Sequence, residues 1–463
     1  MKHLVYTLLV FFLLNNFALA QFNQQFIELL DEAMSELDST INPKGLSIAV
    51  MSGNDIWSGA IGVSAAQDSL NNNSLLAMGS ITKTFISAEI LGLMEEDKLA
   101  LNNPIHYYLP AFENIDSSAT IKELLNHTSG IYNYTDNPIF FDSVFSDTGQ
   151  WHIFSPEEVI ENFVLSASFE RGTKQEYSNT NYVLLGMIIS EITNKPYYEA
   201  IFERFNIAEN YPTINVPSFN SDPTDLANLW FNLGFGLQDV EAVGIGLHGL
   251  FSSAGAAGAL ACTPTDLVKW GYDLYTGKLL NASSMDSLFD YHPFQLFGQT
   301  DYGLGVFSTT SECGVMSVGH SGGILYTANL FYSEEFDLSV CVMTNDGDGI
   351  TELGGVIGIT EEIICAYQEA SMTSSSESNQ ATALHIYPNP TQDILNIRID
   401  DSFGPEIQIN IYNELGSLVL SQTTRIAKSE VIQINALRQW PSGMYFIQLK
   451  NGSQTYTEKI IKN

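Results

Sequence analysis

Basic residues are scarce in this chain: 18 Lys and Arg stand against 53 Asp and Glu in 463 residues, a formal charge of −35. Such an acidic surface repels phosphate backbones and anionic headgroups, so no nucleic acid partner is expected and anionic membrane surfaces are disfavoured. Cysteine is scarce as well. Cys262, Cys313, Cys341 and Cys365 are widely scattered and show no C-x-x-C spacing. That argues against thiolate metal ligation and against a catalytic cysteine, and no metal or cofactor is expected. In an oxidising compartment the four can form two disulfides by any of three pairings, or stay as buried thiols. Long apolar runs are missing beyond the first 20 residues, so no stable membrane span is expected. Those 20, MKHLVYTLLVFFLLNNFALA, have basic Lys2 and His3, an apolar run from Leu4 to Leu14 and a small-residue Ala18-Leu19-Ala20 end. This is the make-up of a secretory signal peptide (1–20), cleaved before Gln21, and it predicts export.

Hydrophobic residues make up 45% of the chain, enough for a large core. Residues 22–38 carry helical periodicity, and LSIAVMSGNDIWSGAIGV reads as two strands around a turn at 52–55. Helices are predicted from Ser80, behind the capping box Ser155-Pro156-Glu157-Glu158, and at Thr263-Pro264-Thr265-Asp266. Strands return in YGLGVF, GVMSVGHSGG, TANLFYS and LSVCVMTN, followed by a helix from about Thr360 to Glu369. Strands at both ends of a helical middle predict one α+β domain over residues 21–370, with a sheet joining distant parts of the chain. SMTSSSESNQ (371–380) reads as a polar, serine-rich linker. Residues 381–463 hold seven basic and seven acidic residues, so the whole charge deficit lies upstream. Their short alternating strands and the Asn451-Gly452 turn predict a small β-sandwich.

Three short stretches carry chemistry. In MGSITKTF, Ser80 and Lys83 lie one helical turn apart on one face. A serine hydroxyl is a weak nucleophile until a neighbouring base takes its proton, and a lysine serves as that base only where its surroundings lower its pKa. An ordinary helix start with a solvated charge explains a lone S-x-x-K better, yet this is the only one in the chain. The second stretch is Tyr177-Ser178-Asn179: a phenol beside a lysine can relay the proton, and an amide can orient a substrate carbonyl. The third is His320-Ser321-Gly322-Gly323 at the end of a strand. Its glycines allow close approach, and the Gly323 N–H can pair with that of Ser80 as an oxyanion hole.

SxxK, YxN and HxG in that order resemble the serine hydrolases of the penicillin-binding and class C β-lactamase superfamily. Flanking stretches such as TIKELLNHTSGI, GTKQEYSNTNYVLLGMIISEIT and GHSGGILYTANLFY extend the likeness over roughly residues 25–369. It implies an α/β sandwich: an antiparallel sheet flanked by helices, plus an all-helical lobe, with the site between them. By position it implies Ser80 as the acylated nucleophile and Lys83 with Tyr177 as the proton-transfer pair. It further implies Asn179 on the substrate amide, and His320, Ser321 and Gly322 lining the third wall. Ser80 and Gly323 would donate to the oxyanion.

Two departures bear on substrate. YSN stands where class A β-lactamases have SDN, so no separate glutamate base is assigned. His320 stands where β-lactamases usually have lysine. A lysine there keeps a positive charge for a substrate carboxylate, whereas a histidine is largely neutral near pH 7. That favours D-Ala-D-Ala carboxypeptidase-, D-aminopeptidase- or esterase-like hydrolysis of a small peptide, amide or ester over efficient β-lactam turnover. The alternatives are a class C-type β-lactamase and a non-catalytic binding or sensor protein on the same scaffold. Other motifs carry less. Gly244–Gly249 matches GxGxxG without a βαβ frame, 345–349 lacks the remaining calcium-ligand spacing, and His127-Thr128-Ser129-Gly130 reads as structural. IYPNPTQDILNIRI and the final SGMYFIQLKNGSQTYTEKIIKN resemble the C-terminal sorting domains of type IX secretion substrates. That implies secretion machinery as a partner, passage across an outer membrane and a secreted or surface location.

Overall fold

The computed structural model describes residues 22, 24–40, 43–217, 226–234, 236–294, 300–347 and 354–377. In the tail it describes 385–387, 391, 395–398, 406–413, 417–425, 431–434, 436–451 and 454–462. The expected signal peptide at 1–20 lies outside these residues. The chain divides into two compact units, 1–370 and 371–463.

Helix α1 (Gln24–Thr40) precedes a nine-stranded sheet made from both ends of the first unit. Its strands are β1 (Gly45–Ser52), β2 (Asp55–Ala65), β3 (Asp68–Ser69), β4 (His292–Phe294), β5 (Thr300–Tyr302), β6 (Phe307–Thr310), β7 (Met316–Ile324), β8 (Tyr326–Ser333) and β9 (Leu338–Thr344). They lie in the order β3-β2-β1-β9-β8-β7-β6-β5-β4, antiparallel throughout. The period-2 alternation of β1 splits its side chains between two cores. Leu46, Ile48 and Val50 pack under α1 and the last helix, whereas Ala49 and Met51 face the helical side. This is the expected α+β sandwich: a two-sided antiparallel sheet with helices on each face and the lobe of helices between residues 105 and 210.

The helices that frame the site are α2 (Thr82–Glu95), α3 (Pro156–Phe163), α4 (Asn179–Thr193) and α5 (Pro264–Tyr275). The predicted capping box at Ser155 is present, with both reciprocal hydrogen bonds. Thr263 caps α5 by accepting from Asp266 N. The last helix, α6, runs Gly355–Glu377, longer than 360–369, and it takes in residues 371–377 of the expected linker. Once nucleated, a helix gains one hydrogen bond per added residue, so a serine run costs it little. Of the cysteines, Cys313 and Cys365 form a disulfide joining the loop before β7 to α6. Cys262 and Cys341 are buried free thiols.

The tail holds a three-stranded and a four-stranded antiparallel sheet. Leu395, Ile397 and Ile434 of the first share one core with Ile407, Ile409 and Ile447 of the second, as in a sandwich. Among the described residues, no helix is long and apolar enough to cross a membrane.

Candidate active site

Ser80 lies just before α2, in a 3-10 turn over Gly79–Ile81, rather than within the helix itself. Gly79 makes that turn with φ +52°, a conformation that glycine adopts without a Cβ clash. The turn is pressed against β7. A Cβ added to Gly79 would stand 2.7 Å from Gly323 N, and one on Gly322 would stand 3.1 Å from Ser80 N and 1.9 Å from Met78 O. The approach is open because β6 pairs with β7 only over Met316–Gly319, which leaves 320–323 without that neighbour. The two glycines thus bring the Ser80 and Gly323 amides together. Gly322 serves this backbone contact.

Lys83, on the first turn of α2, is fully buried. Its Nζ lies 2.9 Å from Ser80 Oγ, 2.8 Å from Asn179 Oδ1 and 2.6 Å from the Ala257 carbonyl oxygen. No carboxylate pairs with it among the described residues. Burial holds its pKa well below the usual lysine range. Hydrogen-bond stoichiometry agrees. Two neighbours, the amide and carbonyl oxygens, can only accept, whereas the hydroxyl can donate. A neutral amine has two N–H donors and one lone pair, which satisfies all three.

Tyr177 is half-buried, with its hydroxyl hydrogen-bonded to Ser80 and Lys83 Nζ 4.9 Å from its ring centroid. Burial pushes its pKa up, so it stays a phenol. Asn179 opens α4. Its backbone N–H donates to Asn133 Oδ1 and its Nδ2 to Thr135 Oγ1, which aims Oδ1 at the lysine.

Ser80, Lys83, Tyr177 and Asn179 are therefore one cluster, though 96 residues separate the lysine from the asparagine. The third wall differs from expectation. His320 is 1% exposed, beneath the aromatic rings of Tyr302 and Phe307, and it contacts no open space. Burial depresses its pKa to about 3, so it is neutral. Ser321, one residue on, points to the opposite face of the sheet, where its hydroxyl donates to Asn329 Oδ1. Neither side chain lines the cleft. Strand alternation sends them to opposite faces, and the bulk around β7 covers both.

Two participants, the Ala257 carbonyl and Tyr302, escaped the sequence reading, and a third, His127, was read there as structural. The Ala257 carbonyl is a backbone group; its one signal is the small-residue run around AGAAGAL, which permits close approach. Tyr302 and His127 sit against Tyr177, with ring centroids at 6.3 Å and 4.3 Å. HTSG was the available signal for His127.

The chain matches the β-lactamase family over residues 30–354 and the secretion system C-terminal sorting domain over residues 385–463. Penicillin-binding protein PbpX of Bacillus subtilis (strain 168) is 25% identical over 283 residues, covering 59% of this chain and 65% of the relative. The teichoic acid D-alanine hydrolase of Staphylococcus aureus is 24% identical over 216 residues, 45% of this chain and 49% of the relative. The chain thus spans less than two thirds of the length of these curated relatives. Among solved structures, a D-stereospecific amidohydrolase from Streptomyces sp. superposes with a TM-score of 0.60 and 27% identity, over 68% of this chain and 94% of that one. The chain belongs to the β-lactamase family and carries a secretion-system C-terminal sorting domain.

Proposed function

We propose that the protein is an exported serine hydrolase that forms an acyl-enzyme on Ser80 and hydrolyses a small peptide, amide or ester. The observation that carries this reading is Lys83 Nζ at 2.9 Å from Ser80 Oγ, buried among neutral acceptors. In the first half-reaction Ser80 Oγ bonds to the substrate carbonyl carbon while its proton passes to the Lys83 lone pair. The Ser80 and Gly323 N–H groups hold the developing oxyanion, a term often worth about 3 kcal/mol per donor. The carbon–leaving-group bond breaks as Tyr177 gives its proton to the departing nitrogen or oxygen, and the Lys83 ammonium restores the phenol. Water then attacks the acyl carbon, the lysine–tyrosine pair takes its proton, and Ser80 and the free acid are released. The pair titrates as a unit.

The neutral third wall decides among acyl donors. With His320 buried and unprotonated, no cation stands there to receive a substrate carboxylate, which disfavours β-lactams. D-amino-acid amides and D-alanyl esters suit such a wall. The likeness to a D-stereospecific amidohydrolase of Streptomyces sp. and a teichoic acid D-alanine hydrolase of Staphylococcus aureus supports this reading. The C-terminal domain supports delivery by a type IX secretion system to the cell surface or beyond, with domains at 21–370 and 381–463.

The test is intact mass spectrometry of the wild type and Ser80→Ala with β-lactams, D-Ala-D-Ala peptides, D-amino-acid amides and activated esters. A covalent adduct on the wild type that is lost in Ser80→Ala is expected, together with loss of turnover. Wild-type activity in Ser80→Ala overturns the scheme.

A further inference from the structure

A run of buried hydrogen bonds joins the Tyr177 loop to the strand of the oxyanion amides, and the acyl-transfer scheme leaves it without a role. Ser178 N–H donates to His127 Nδ1 at 3.2 Å, and Asn181 Nδ2 lies 3.2 Å from the same nitrogen. A backbone N–H can only donate, so that Nδ1 is unprotonated and the proton sits on Nε2. His127 Nε2 stands 3.2 Å from Tyr302 Oη, which in turn lies 3.3 Å from His320 Nε2. His320 Nδ1 donates to the Ser321 carbonyl, which can only accept. His320 Nε2 is therefore a lone pair, and the Tyr302 hydroxyl donates to it. Each histidine is thereby confined to one tautomer. His127, Tyr302 and His320 are all at most 1% exposed, and the His127 ring lies against Tyr177.

We propose that His127 and Tyr302 are positioning residues, a neutral strut that fixes Tyr177 relative to the oxyanion strand at 320–323. The proposal rests on the acyl-enzyme reading above. Several groups face the strut. From α2, Lys83 Nζ stands 4.9 Å from the Tyr177 ring and 5.3 Å from the Tyr182 ring, and Ser87 Oγ is 3.4 Å from Tyr182 Oη. From α4, Tyr182 donates to the Leu125 carbonyl and contacts Tyr302. Burial disfavours a positive charge on both imidazoles, and whenever Lys83 takes up a proton its charge disfavours one further. Protonation of either ring would set an N–H against an existing donor: Ser178 N–H at His127, or the Tyr302 hydroxyl at His320. The strut is whole at neutral pH and breaks in acid.

Tyr302→Phe removes both central hydrogen bonds at nearly constant volume. With p-nitrophenyl acetate as the probe, kcat is expected to fall about tenfold or more while KM stays within about twofold. The acid limb of the kcat profile is expected to rise by about one pH unit, since His320 loses a bond worth about 1 kcal/mol to its unprotonated form. Tyr275→Phe is the control: its buried hydroxyl has no hydrogen-bond partner among the described residues, and neither kinetic constant nor the acid limb is expected to move. Near-UV circular dichroism checks folding. Should Tyr302→Phe not fold, His127→Gln is read by the same criteria. A folded variant with unchanged kcat and an unchanged acid limb overturns the proposal, as does an equal loss in all conditions with no pH shift. If Ser80→Ala is inactive and the Tyr302 variant behaves as wild type, only the positioning role falls. If Ser80→Ala stays active, the reading beneath it falls.

Discussion

Helix α2 buries two ionisable side chains less than two turns apart, and their surroundings differ in kind. Glu89, 1% exposed, meets Arg204, whose Nε lies 2.7 Å from its Oε2 and whose Nη1 reaches Glu96. Lys83, equally buried, meets three neutral oxygens. Burying a charge without a partner costs several kcal/mol, and a protein escapes that cost by supplying a counterion or by letting the group lose its charge. At Glu89 the counterion holds the helix to Arg204. At Lys83 the charge is given up, which leaves an amine with a lone pair beside a hydroxyl. The same helix therefore shows a burial that keeps its partner and a burial that activates.

The largest expected effect comes from breaking the second kind. Lys83→Met keeps the bulk and removes the lone pair, so kcat is expected to fall about 10³-fold, within the usual span for a lost general base. Steady-state kinetics on an activated ester measures it. The same variant tests the charge argument through stability. Between the depressed folded pKa of Lys83 and its ordinary value of 10.5, the unfolded chain holds a proton that the folded chain lacks. Wild-type stability is therefore expected to rise with pH across that window. Urea midpoints at several pH values between neutrality and 10 should show this rise in the wild type and a flatter profile in Lys83→Met.

Breaking the first kind has the converse signature. Arg204→Met strands the Glu89 carboxyl in the core, where losing one partner of a buried pair costs about 3–5 kcal/mol. The cost falls on stability, read from urea unfolding, whereas kcat below the unfolding range is expected to stay near wild type. If Arg204→Met lost activity while keeping stability, the division between the two burials would fail.

How much of this was legible in the sequence follows from what side chains encode. Ser80, Lys83, Tyr177 and Asn179 were legible only as a set: each stretch alone reads as a helix start or a turn, and it was SxxK, YxN and HxG in order that carried the resemblance. The sheet was legible in the alternation of LSIAVMS and LSVCVMT. The Ala257 carbonyl was not, since every residue has one and only the fold selects which points at Lys83. Placing His320 and Ser321 together in one wall overlooked strand alternation, which sends neighbouring side chains to opposite faces. Alternation could not tell that Tyr302 and Phe307, brought in by β5 and β6, cover the histidine, because those strands are added by long-range pairing. The serine run at 371–377 misled because composition reports local preference, whereas an already formed α6 sets the outcome there.

Ser321 gives the smallest expected effect and the sharpest check on that last strand. Its hydroxyl donates to Asn329 Oδ1 at 2.7 Å, and Asn329 Nδ2 donates to Thr360 Oγ1 at 3.0 Å, so the side chain belongs to a polar link between β7, β8 and α6. Ser321→Ala removes one neutral hydrogen bond and leaves a buried amide oxygen without that donor, for about 1–2 kcal/mol of stability. Nothing in its placement reaches the Ser80 hydroxyl. kcat/KM is therefore expected to stay within about twofold of wild type, while the urea midpoint falls. A tenfold loss of kcat/KM with an unchanged midpoint would return Ser321 to the substrate wall and reverse the assignment of faces along β7.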